Sequence, residues 1–307
     1  MMESAFRYSQ GWSIEEHRDR LAQLVSNMSR IASKNPDAWT RRFVEPQEIR
    51  EAGPSNPMQA FPYNKLHCSS WNVDQAAALL FCSATKAQKL GIPRERWIFP
   101  LVSTESNHMV TFSAREHLYE CVGAKLTGQA ALAVAQLRPE EVDLVELYSC
   151  FPIAVQTYAQ ALGLPLDTPL TITGGMNFAG GPYNNYHLQS TVRAAQLLRS
   201  GHGRTALISC VSGILTKQAF GMWSTQPGDG FVHQDLSEEV KKYNRALPVL
   251  DVYTGEARVA AFTVIDTPEK ALTAILLVNT PQGQRALITT KNPGVSDVSR
   301  CETKVGT

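Results

Sequence analysis

The feature that most restricts the fold of this chain is an alternation of short apolar runs and helical stretches that begins near residue 63. The apolar run 76–81 is followed by Ser83, which suits a helix N-cap, and by Gly91, which suits a helix end. Further strands are predicted at 97–102, 142–147 and 205–210, and further helices at 126–137, 151–162 and 185–200. Because alternating strands and helices pack as layers, the pattern predicts an α/β fold with a mixed sheet covered by helices.

The segments on either side of this alternation follow other patterns. In a predicted helix at 14–31, apolar residues from Leu21 to Ile31 recur at helical spacing and form a stripe that needs a partner. The prolines between residues 35 and 62 predict an extended surface excursion rather than a packed element. Nearer the other end, β-like runs at 258–265, 272–279 and 285–290 are joined by hairpin-sized segments, which predicts a small antiparallel β domain.

Length and charge restrict the class of protein. The chain has 307 residues, more than the roughly 100 to 200 of a usual single domain, so two domains are expected. A formal net charge of +1 creates no field that favours nucleic acid or an acidic membrane. No stretch approaches the roughly 18 apolar residues of a membrane span, so a soluble protein that binds neither is expected.

The cysteines and histidines exclude several kinds of site. The six cysteines are scattered and include no Cys-x-x-Cys pair, which favours reduced thiols over disulfides or a zinc site. A cytoplasmic location is therefore predicted, and a peroxisomal one stays open although the chain has no Ser-Lys-Leu end. The histidines lack metal spacing and a Gly-x-Ser-x-Gly partner, and only His108 and His187 are kept as site candidates.

Three segments place polar or reactive residues after a predicted strand, where α/β sheets expose their ligands. In the first, Tyr148, Ser149 and Cys150 lie between a buried strand and a helix start. Side chains and helix-terminal N–H groups then face one space, which suits an acyl oxygen or an anion. The alternative is a capping turn in which Cys150 is a small core residue.

The second segment, 174–186, combines paired glycines with amide and aromatic side chains. Gly180 and Gly181 would let the backbone approach a ligand, and Asn177 would offer a polar contact beside an apolar wall. The alternative is that the glycine pairs only permit tight turns.

In the third segment, 206–217, Cys210 ends a strand before the small residues Ser212 and Gly213. A thiol in this place is expected to be partly exposed, with its pKa lowered by nearby N–H dipoles. The alternative is a small residue tolerated at a crowded strand end.

Taken in order, these segments resemble the thiolase superfamily, and over essentially the whole chain they are similar to its type 1 thiolase-like proteins with an additional C-terminal domain. Residues 74–78 resemble the Asp-Gly-Ala-Ala strand of thiolases. Residues 145–151 are similar to the strand ending in Asn-Glu-Ala-Phe, or in His-Asp-Cys-Phe in the sterol-carrier-protein thiolases. Residues 180–182 stand at the Gly-His-Pro position of the family, and residues 210–213 at its Cys-x-Gly-Gly position.

The resemblance implies an acyltransferase of lipid metabolism that takes a coenzyme A thioester as substrate and holds no permanent cofactor. It implies a remnant of the thiolase loop region at 1–62, the C-terminal thiolase half at 63–232 and the additional β domain at 233–307. Cys210 stands at the position of the family's acid/base cysteine. Tyr148 stands at the position of the Asn or His that opens the motif Asn-Glu-Ala-Phe or His-Asp-Cys-Phe. These two residues are therefore the candidate catalytic residues. The residues expected to contact acyl-CoA are Ser149, Cys150, Asn177, Gly180, Gly181, Ser212 and Gly213.

Two departures from the family predict an incomplete site. The His of Gly-His-Pro activates the nucleophile and helps to form an oxyanion hole, and Gly181 in its place supplies neither a base nor a donor. The nucleophilic cysteine of thiolases belongs to the N-terminal half, after which this sequence is expected to begin. The chain is then either an incomplete gene product or one that needs a partner, and in isolation its sheet and its 14–31 stripe are expected to expose apolar surface.

Three functions follow from these observations. The first is an acyl-CoA-handling transferase that requires a separate N-terminal half or a homo-oligomer. The second is a non-catalytic binding or scaffold protein. The third is an oligonucleotide-binding barrel at 233–307, which ranks last because Tyr243, Tyr253 and Phe262 are too few aromatic residues for a stacking platform.

Overall fold

The computed structural model describes residues 1–266 and 272–295 of the chain. The helices are α1 (Met2–Ser9), α2 (Ile14–Ala32), α3 (Pro46–Arg50), α4 (Ala84–Lys89), α5 (Val122–Ala135), α6 (Pro152–Leu162), α7 (Gly175–Phe178), α8 (Tyr186–Arg199) and α9 (Ser237–Tyr243). The strands are β1 (Met58–Ala60), β2 (Tyr63–Asn64), β3 (Phe99–Asn107), β4 (Leu144–Glu146), β5 (Thr205–Ser212), β6 (Lys217–Ser224), β7 (Val232–Asp235), β8 (Val249–Leu250), β9 (Arg258–Asp266), β10 (Leu272–Asn279) and β11 (Arg285–Thr290).

The larger sheet is mixed and has the strand order β4-β5-β6-β3-β7. Strand β6 runs antiparallel to its neighbours β5 and β3, whereas β4 is parallel to β5 and β7 is parallel to β3. Parallel neighbours need a long crossover, and the chain from β4 to β5 includes α6 and α8. The predicted mixed sheet covered by helices is confirmed.

Alternation along the strands gives this sheet two apolar faces. On one face Phe220 of β6 stacks on Tyr158 of α6 with ring centroids 5.5 Å apart, and α5 packs beside them. A Cβ added to Gly128 of α5 would lie 3.3 Å from the Phe220 ring, so glycine permits this close approach. On the opposite face Ala206 and Ile208 of β5 share a buried cluster with α8.

Residues 72–83 form neither a helix nor a strand, and no strand among the described residues forms a ladder with them. The strand predicted at 76–81 is therefore wrong, because β propensity makes a strand only where a neighbour supplies backbone hydrogen bonds. Leu80 and Phe81 are left 95% and 62% exposed. The predicted helix after them is confirmed, since the Ser83 hydroxyl accepts the Lys86 N–H at 3.1 Å.

The N-terminal residues are packed rather than exposed. Helix α2 confirms the predicted helix, but Val25 and Met28 of its apolar stripe are buried in the main core, so the expected exposure of the stripe is wrong. The stripe finds its partners in α3 and α7. The interpretation of 35–62 as a surface excursion is also wrong, because Val44 and Ile49 are buried and the Val44 N–H donates to Ser29 Oγ at 2.9 Å.

The smaller sheet has the order β8-β11-β10-β9, with β9, β10 and β11 antiparallel as predicted and β8 parallel to β11. It is joined to the rest of the molecule by the N-terminal residues. The Phe262 N–H donates to Ser4 Oγ at 2.8 Å, and the Phe61 N–H donates to the Val264 carbonyl at 2.8 Å. The domain limits at 62/63 and 232/233 stay predictions, and β7 pairs with the larger sheet.

Candidate functional site

The strand register brings Tyr148 and Cys210 to the same edge of the larger sheet. The last paired residues of β4 and β5 are Glu146 and Ile208, and Tyr148 and Cys210 each lie two residues further along these parallel strands. The Tyr148 N–H donates to Ser209 Oγ at 2.8 Å, which continues the pairing beyond the regular ladder. The first and third predicted segments therefore meet.

Burial controls the proton affinity of the side chains at this edge. Burial raises the pKa of Cys210 above the ordinary thiol value, and the nearby Val211 N–H offsets this only in part. The expectation of a lowered pKa is wrong, because loss of hydration disfavours the thiolate more than the N–H dipole stabilises it. Burial likewise raises the pKa of Cys150 to about 11 and that of Tyr148 to about 12. All three groups keep their protons near neutral pH.

The turn after β5 has an unusual backbone. Gly213, Ile214 and Leu215 have φ values of +59°, +53° and +62°, a region that β-branched residues such as Ile214 rarely occupy. Arg115 is buried and donates to the Ile214 carbonyl, and Gln218 Nε2 donates to the Leu215 carbonyl at 2.7 Å. Two buried side chains thus hold the turn that contains Gly213 and follows the exposed Ser212.

A buried carboxylate, that of Glu146, holds the backbone around the site in place. Glu146 is completely buried and accepts hydrogen bonds from Tyr186 OH at 2.6 Å, from the Ile172 and Thr173 N–H groups and from the hydroxyls of Thr171 and Thr173. Burial raises its pKa, while these donors act in the opposite direction. Glu146 therefore fixes the turn before α7 and the first residue of α8.

The second predicted segment reaches the same edge through this turn. The Ser149 hydroxyl is buried and accepts the Met176 N–H at 2.9 Å. The rings of Tyr148 and Tyr186 meet edge to face with centroids 5.6 Å apart. All three predicted segments thus come together, with Ser149 facing protein groups rather than open space.

The glycines of the second segment are fitted closely into the protein. A Cβ on Gly180 would lie 2.1 Å from Gln75 Oε1, and Gly180 has a φ of +96°. A Cβ on Gly181 would lie 2.6 Å from Met176 Cε, so a histidine here would require Met176 to move. Asn177 Nδ2 donates to the Leu66 carbonyl at 2.9 Å. These residues shape the backbone, and the site has no imidazole at position 181.

Of the two histidine candidates, only His187 adjoins the site. It follows Tyr186 on α8, and burial lowers the pKa of its imidazole. His108 instead lies at the end of β3, where its Nε2 is 3.2 Å from the Asn244 carbonyl. In the described part of the chain no group of three or more His, Cys, Asp and Glu side chains could hold a metal ion.

Some supporting residues were not recognised from the sequence. The sequence patterns include Glu146 only as part of a motif, although a carboxylate within the apolar run 144–147 already signals a buried charge that needs partners. Arg115 gave no sequence signal, since its partners are the carbonyl groups of Val110 and Ile214, which folding brings together.

A separate cavity of about 430 Å³ lies beside α5 and α6 and is lined by none of the candidate residues. Among the described helices, none combines the length and apolar character needed to cross a bilayer.

Known proteins resemble this chain over part of their own length. No protein-family model matches it. The acetyl-CoA acetyltransferase of Methanocaldococcus jannaschii is 29% identical over 163 residues, which are 53% of this chain and 39% of that protein. The acetyl-CoA acetyltransferase of Methanothermobacter thermautotrophicus is 23% identical over 204 residues, 61% and 51% of the two chains. This chain thus spans between about two fifths and half of these relatives.

A solved structure matches almost all of this chain. The monomeric SCP2-thiolase-like protein type 1 of Mycobacterium smegmatis superposes with a TM-score of 0.84 at 27% identity. The match covers 97% of this chain and 66% of the other. About a third of the mycobacterial protein therefore has no counterpart among these 307 residues.

Proposed function

We propose that this chain is a member of the thiolase superfamily and contributes one side of an acyl-CoA acyltransferase site, whose nucleophile is supplied by a thiolase-like half in the same or another polypeptide. The observation that supports the proposal most directly is the meeting of Tyr148, Cys150 and Cys210 at one strand edge, each with its proton retained by burial. The names of the similar acetyltransferases and of the thiolase-like structure support acyl-CoA as the substrate class.

In this proposal Cys210 is a proton donor and acceptor rather than a nucleophile. A thiol with a raised pKa is weakly nucleophilic at neutral pH, but it can give its proton to an atom on which negative charge develops and recover it in the reverse step. The Tyr148 hydroxyl is a neutral donor of the kind that stabilises a thioester oxygen as it gains charge. Ser149 then acts by holding the backbone between them in place.

Position 181 supplies no base that could activate a nucleophile. Met176 fills the space beside Gly181, so no side chain of this segment takes the place of the family histidine. Activation of a nucleophile then depends on residues outside the three described segments. The second candidate function, a non-catalytic acyl-CoA-binding protein, is favoured by the same observation.

Binding and catalysis are tested separately. Calorimetry with acetyl-CoA and a longer acyl-CoA should detect binding by the folded 307-residue chain, and Tyr148→Phe and Cys210→Ala should weaken it, while Cys82→Ala, at an exposed position, should not. No heat with either thioester on a folded sample contradicts the proposal. Thiolysis that requires a thiolase-like half carrying the nucleophile and is lost in Cys210→Ala supports the transferase, whereas binding with no such activity supports the non-catalytic alternative.

A further inference from the structure

Helix α6 begins at the candidate site without a capping side chain of its own. It starts at Pro152, directly after residues 148–150, and Phe151 at its N-cap position makes no capping hydrogen bond with its side chain. The first N–H groups of a helix lack acceptors within the helix. Pro152 has no N–H, so the first such group belongs to the buried Ile153. Its hydrogen-bond acceptor must come from another part of the protein.

Tyr63 of β2 supplies this acceptor. Its hydroxyl oxygen accepts the Ile153 N–H at 3.2 Å, across 90 residues of sequence. Its ring stacks on the Phe151 ring with centroids 5.8 Å apart and an interplanar angle of 5°. Tyr63 therefore contacts both the backbone and a side chain immediately after Cys150. It takes the capping role that a serine or an aspartate at the N-cap usually has.

The orientation of the Tyr63 hydroxyl is fixed by the buried Glu3. The hydroxyl donates to the Glu3 carboxylate, which also accepts from Gln156 Nε2 at 2.8 Å and lies 2.8 Å from His17 Nε2. An ionised carboxylate can only accept, so the hydroxyl proton is directed to Glu3 and an oxygen lone pair is left for the Ile153 N–H. Gln156 lies on α6 itself, so the same network holds the start of this helix at two points.

The turn at 148–151 is held from two sides. Before Cys150, the Tyr148 N–H and the Ser149 hydroxyl bind residues of β5 and α7. After Cys150, Tyr63 holds Phe151 and the start of α6. Since Cys150 lies between the two attachments, the exposure of its thiol to water depends on both of them.

We propose that Tyr63, held by Glu3, is a positioning residue of the candidate site, which fixes the start of α6 so that Tyr148 and Cys150 stay in place beside Cys210. Tyr63 acts through the backbone and is not a catalytic residue. The inference rests on the proposed function for its effect on acyl-CoA, but the positioning itself is measured without a ligand.

Tyr63→Phe tests the positioning, since it removes the hydroxyl and keeps the ring against Phe151. We expect the Ile153 amide to exchange with deuterium roughly tenfold faster, because a buried N–H loses its acceptor. Iodoacetamide should alkylate Cys150 at least roughly threefold faster, because reaction requires an accessible thiolate. As water reaches the turn, the rise of this rate with pH should shift to lower pH, since burial holds the pKa of Cys150 at about 11. Exposed Cys82 is the internal reference and should keep its rate.

Ser26→Ala is the matched control for lost stability. It removes a fully buried hydroxyl of α2 that donates to the Val44 carbonyl at 2.7 Å. This change should lower the stability of the protein but leave the alkylation rate and the pH profile of Cys150 as they are. Phe151→Leu removes the stacked ring and should act in the same direction as Tyr63→Phe.

An unchanged rate and pH profile of Cys150 in Tyr63→Phe, or an equal change in Ser26→Ala, would overturn the inference. Calorimetry with acetyl-CoA separates it from the proposed function, since Tyr63→Phe should weaken thioester binding by roughly tenfold through misplacement of the turn. If the wild-type chain binds no thioester while Tyr63→Phe alters Cys150, only the proposed function is overturned. Thioester binding that Tyr63→Phe leaves unchanged would overturn only the positioning role.

Discussion

Cys210, Cys150 and Tyr148 share a raised pKa because each is removed from water where the compensating dipoles are few. Burial raises the pKa of Glu146 as well, although its hydrogen-bond donors act in the opposite direction and hold the carboxyl group in place. The four groups therefore differ in their hydrogen bonding rather than in the direction of the pKa shift. The structural role of Glu146 and the proton-transfer role proposed for Cys210 follow from this difference.

Cysteine reactivity tests the raised pKa of Cys210. With iodoacetamide near pH 7.5, we expect Cys210 to be alkylated at least roughly tenfold more slowly than exposed Cys82, because only a solvent-accessible thiolate reacts. The rate at Cys210 should continue to rise above pH 9, the ordinary thiol pKa. Peptide mass mapping over time gives both rates, and a plateau at Cys210 below pH 9 would contradict the assignment.

A second residue-level prediction concerns the buried Glu3. Its carboxylate accepts from Gln156 Nε2 at 2.8 Å and from Tyr63 OH, and it lies 2.8 Å from His17 Nε2. Burial would raise the Glu3 pKa, but these partners outweigh burial and lower it. Unfolded Glu3 therefore binds its proton at a higher pH than folded Glu3 does. The stabilisation is present above the unfolded pKa and is lost as the pH falls through the folded pKa.

Glu3→Gln should lower the free energy of unfolding at pH 7 by about 3 kcal/mol, the usual cost of removing one partner of a buried pair. It should also flatten the dependence of stability on pH below 5. Urea denaturation between pH 3 and 7 measures both effects. Glu16→Gln, which breaks an exposed pair with Arg20, is the control and should change stability by less than about 1 kcal/mol. An unchanged acid dependence in Glu3→Gln would refute the explanation.

At the scale of elements, hydrophobic periodicity located α2, α6, α8 and β5 to within a few residues, because each repeats one burial pattern over several turns or pairs. It missed β6 and β7, and it placed a strand at 76–81 where the structure has none. The prolines before residue 62 predict an unpacked segment, whereas in the structure the hydroxyls of Ser26 and Ser29 hydrogen-bond the backbone of Val44. Hydrophobic periodicity alone identifies which face of a helix or strand is buried. It does not identify which part of the protein covers that face.

The buried stripe of α2 gives a prediction at this scale. Met28→Ala should lower the free energy of unfolding by roughly 2 to 5 kcal/mol, because the side chain is 2% exposed and its loss leaves a cavity against α7. Gln23→Ala, on the exposed face of α2, should change it by less than about 0.5 kcal/mol. Chemical denaturation of the isolated chain distinguishes this from a stripe that is free in solution, for which both substitutions would have small effects.

At the scale of the whole molecule, the N-terminal residues couple the stability of the two sheets. Ala5 of α1 packs with Ala261 and Leu277 of the smaller sheet, and Phe6 of α1 packs with Ile153 of α6. Helix α1 therefore lies between the smaller sheet and helix α6, which packs on the larger sheet, and buries apolar surface on both. Shared burial of this kind couples the stability of two units.

We expect the two sheets to unfold in one cooperative transition. Global-limit hydrogen exchange of β10 amides should report the same free energy of unfolding as that of β6 amides. Ser4→Ala removes the hydroxyl that accepts the Phe262 N–H, and should lower both values together by about 1 to 3 kcal/mol. Exchange of β10 at a clearly lower free energy than β6 would mean that the smaller sheet opens independently.

The sequence by itself determined the layer architecture, the three antiparallel strands of the smaller sheet and the three segments that form the candidate site. These depend on short-range patterns, since a strand end, a glycine pair and a capping serine each act through neighbours within a few residues. The order of the motifs also predicted the resemblance to the thiolase superfamily, because four such patterns in one order are specific.

Only the tertiary structure decided the burial, the hydrogen-bond partners and the pKa values of those residues. The raised pKa of Cys210, the carbonyl groups held by Arg115 and the packing of Met176 against Gly181 depend on chain segments many residues away. The burial of α2 has the same origin, since it depends on which distant surface is present to cover an apolar face. Desolvation and packing are sums over all neighbours in space, and a linear sequence specifies those neighbours only after the chain has folded.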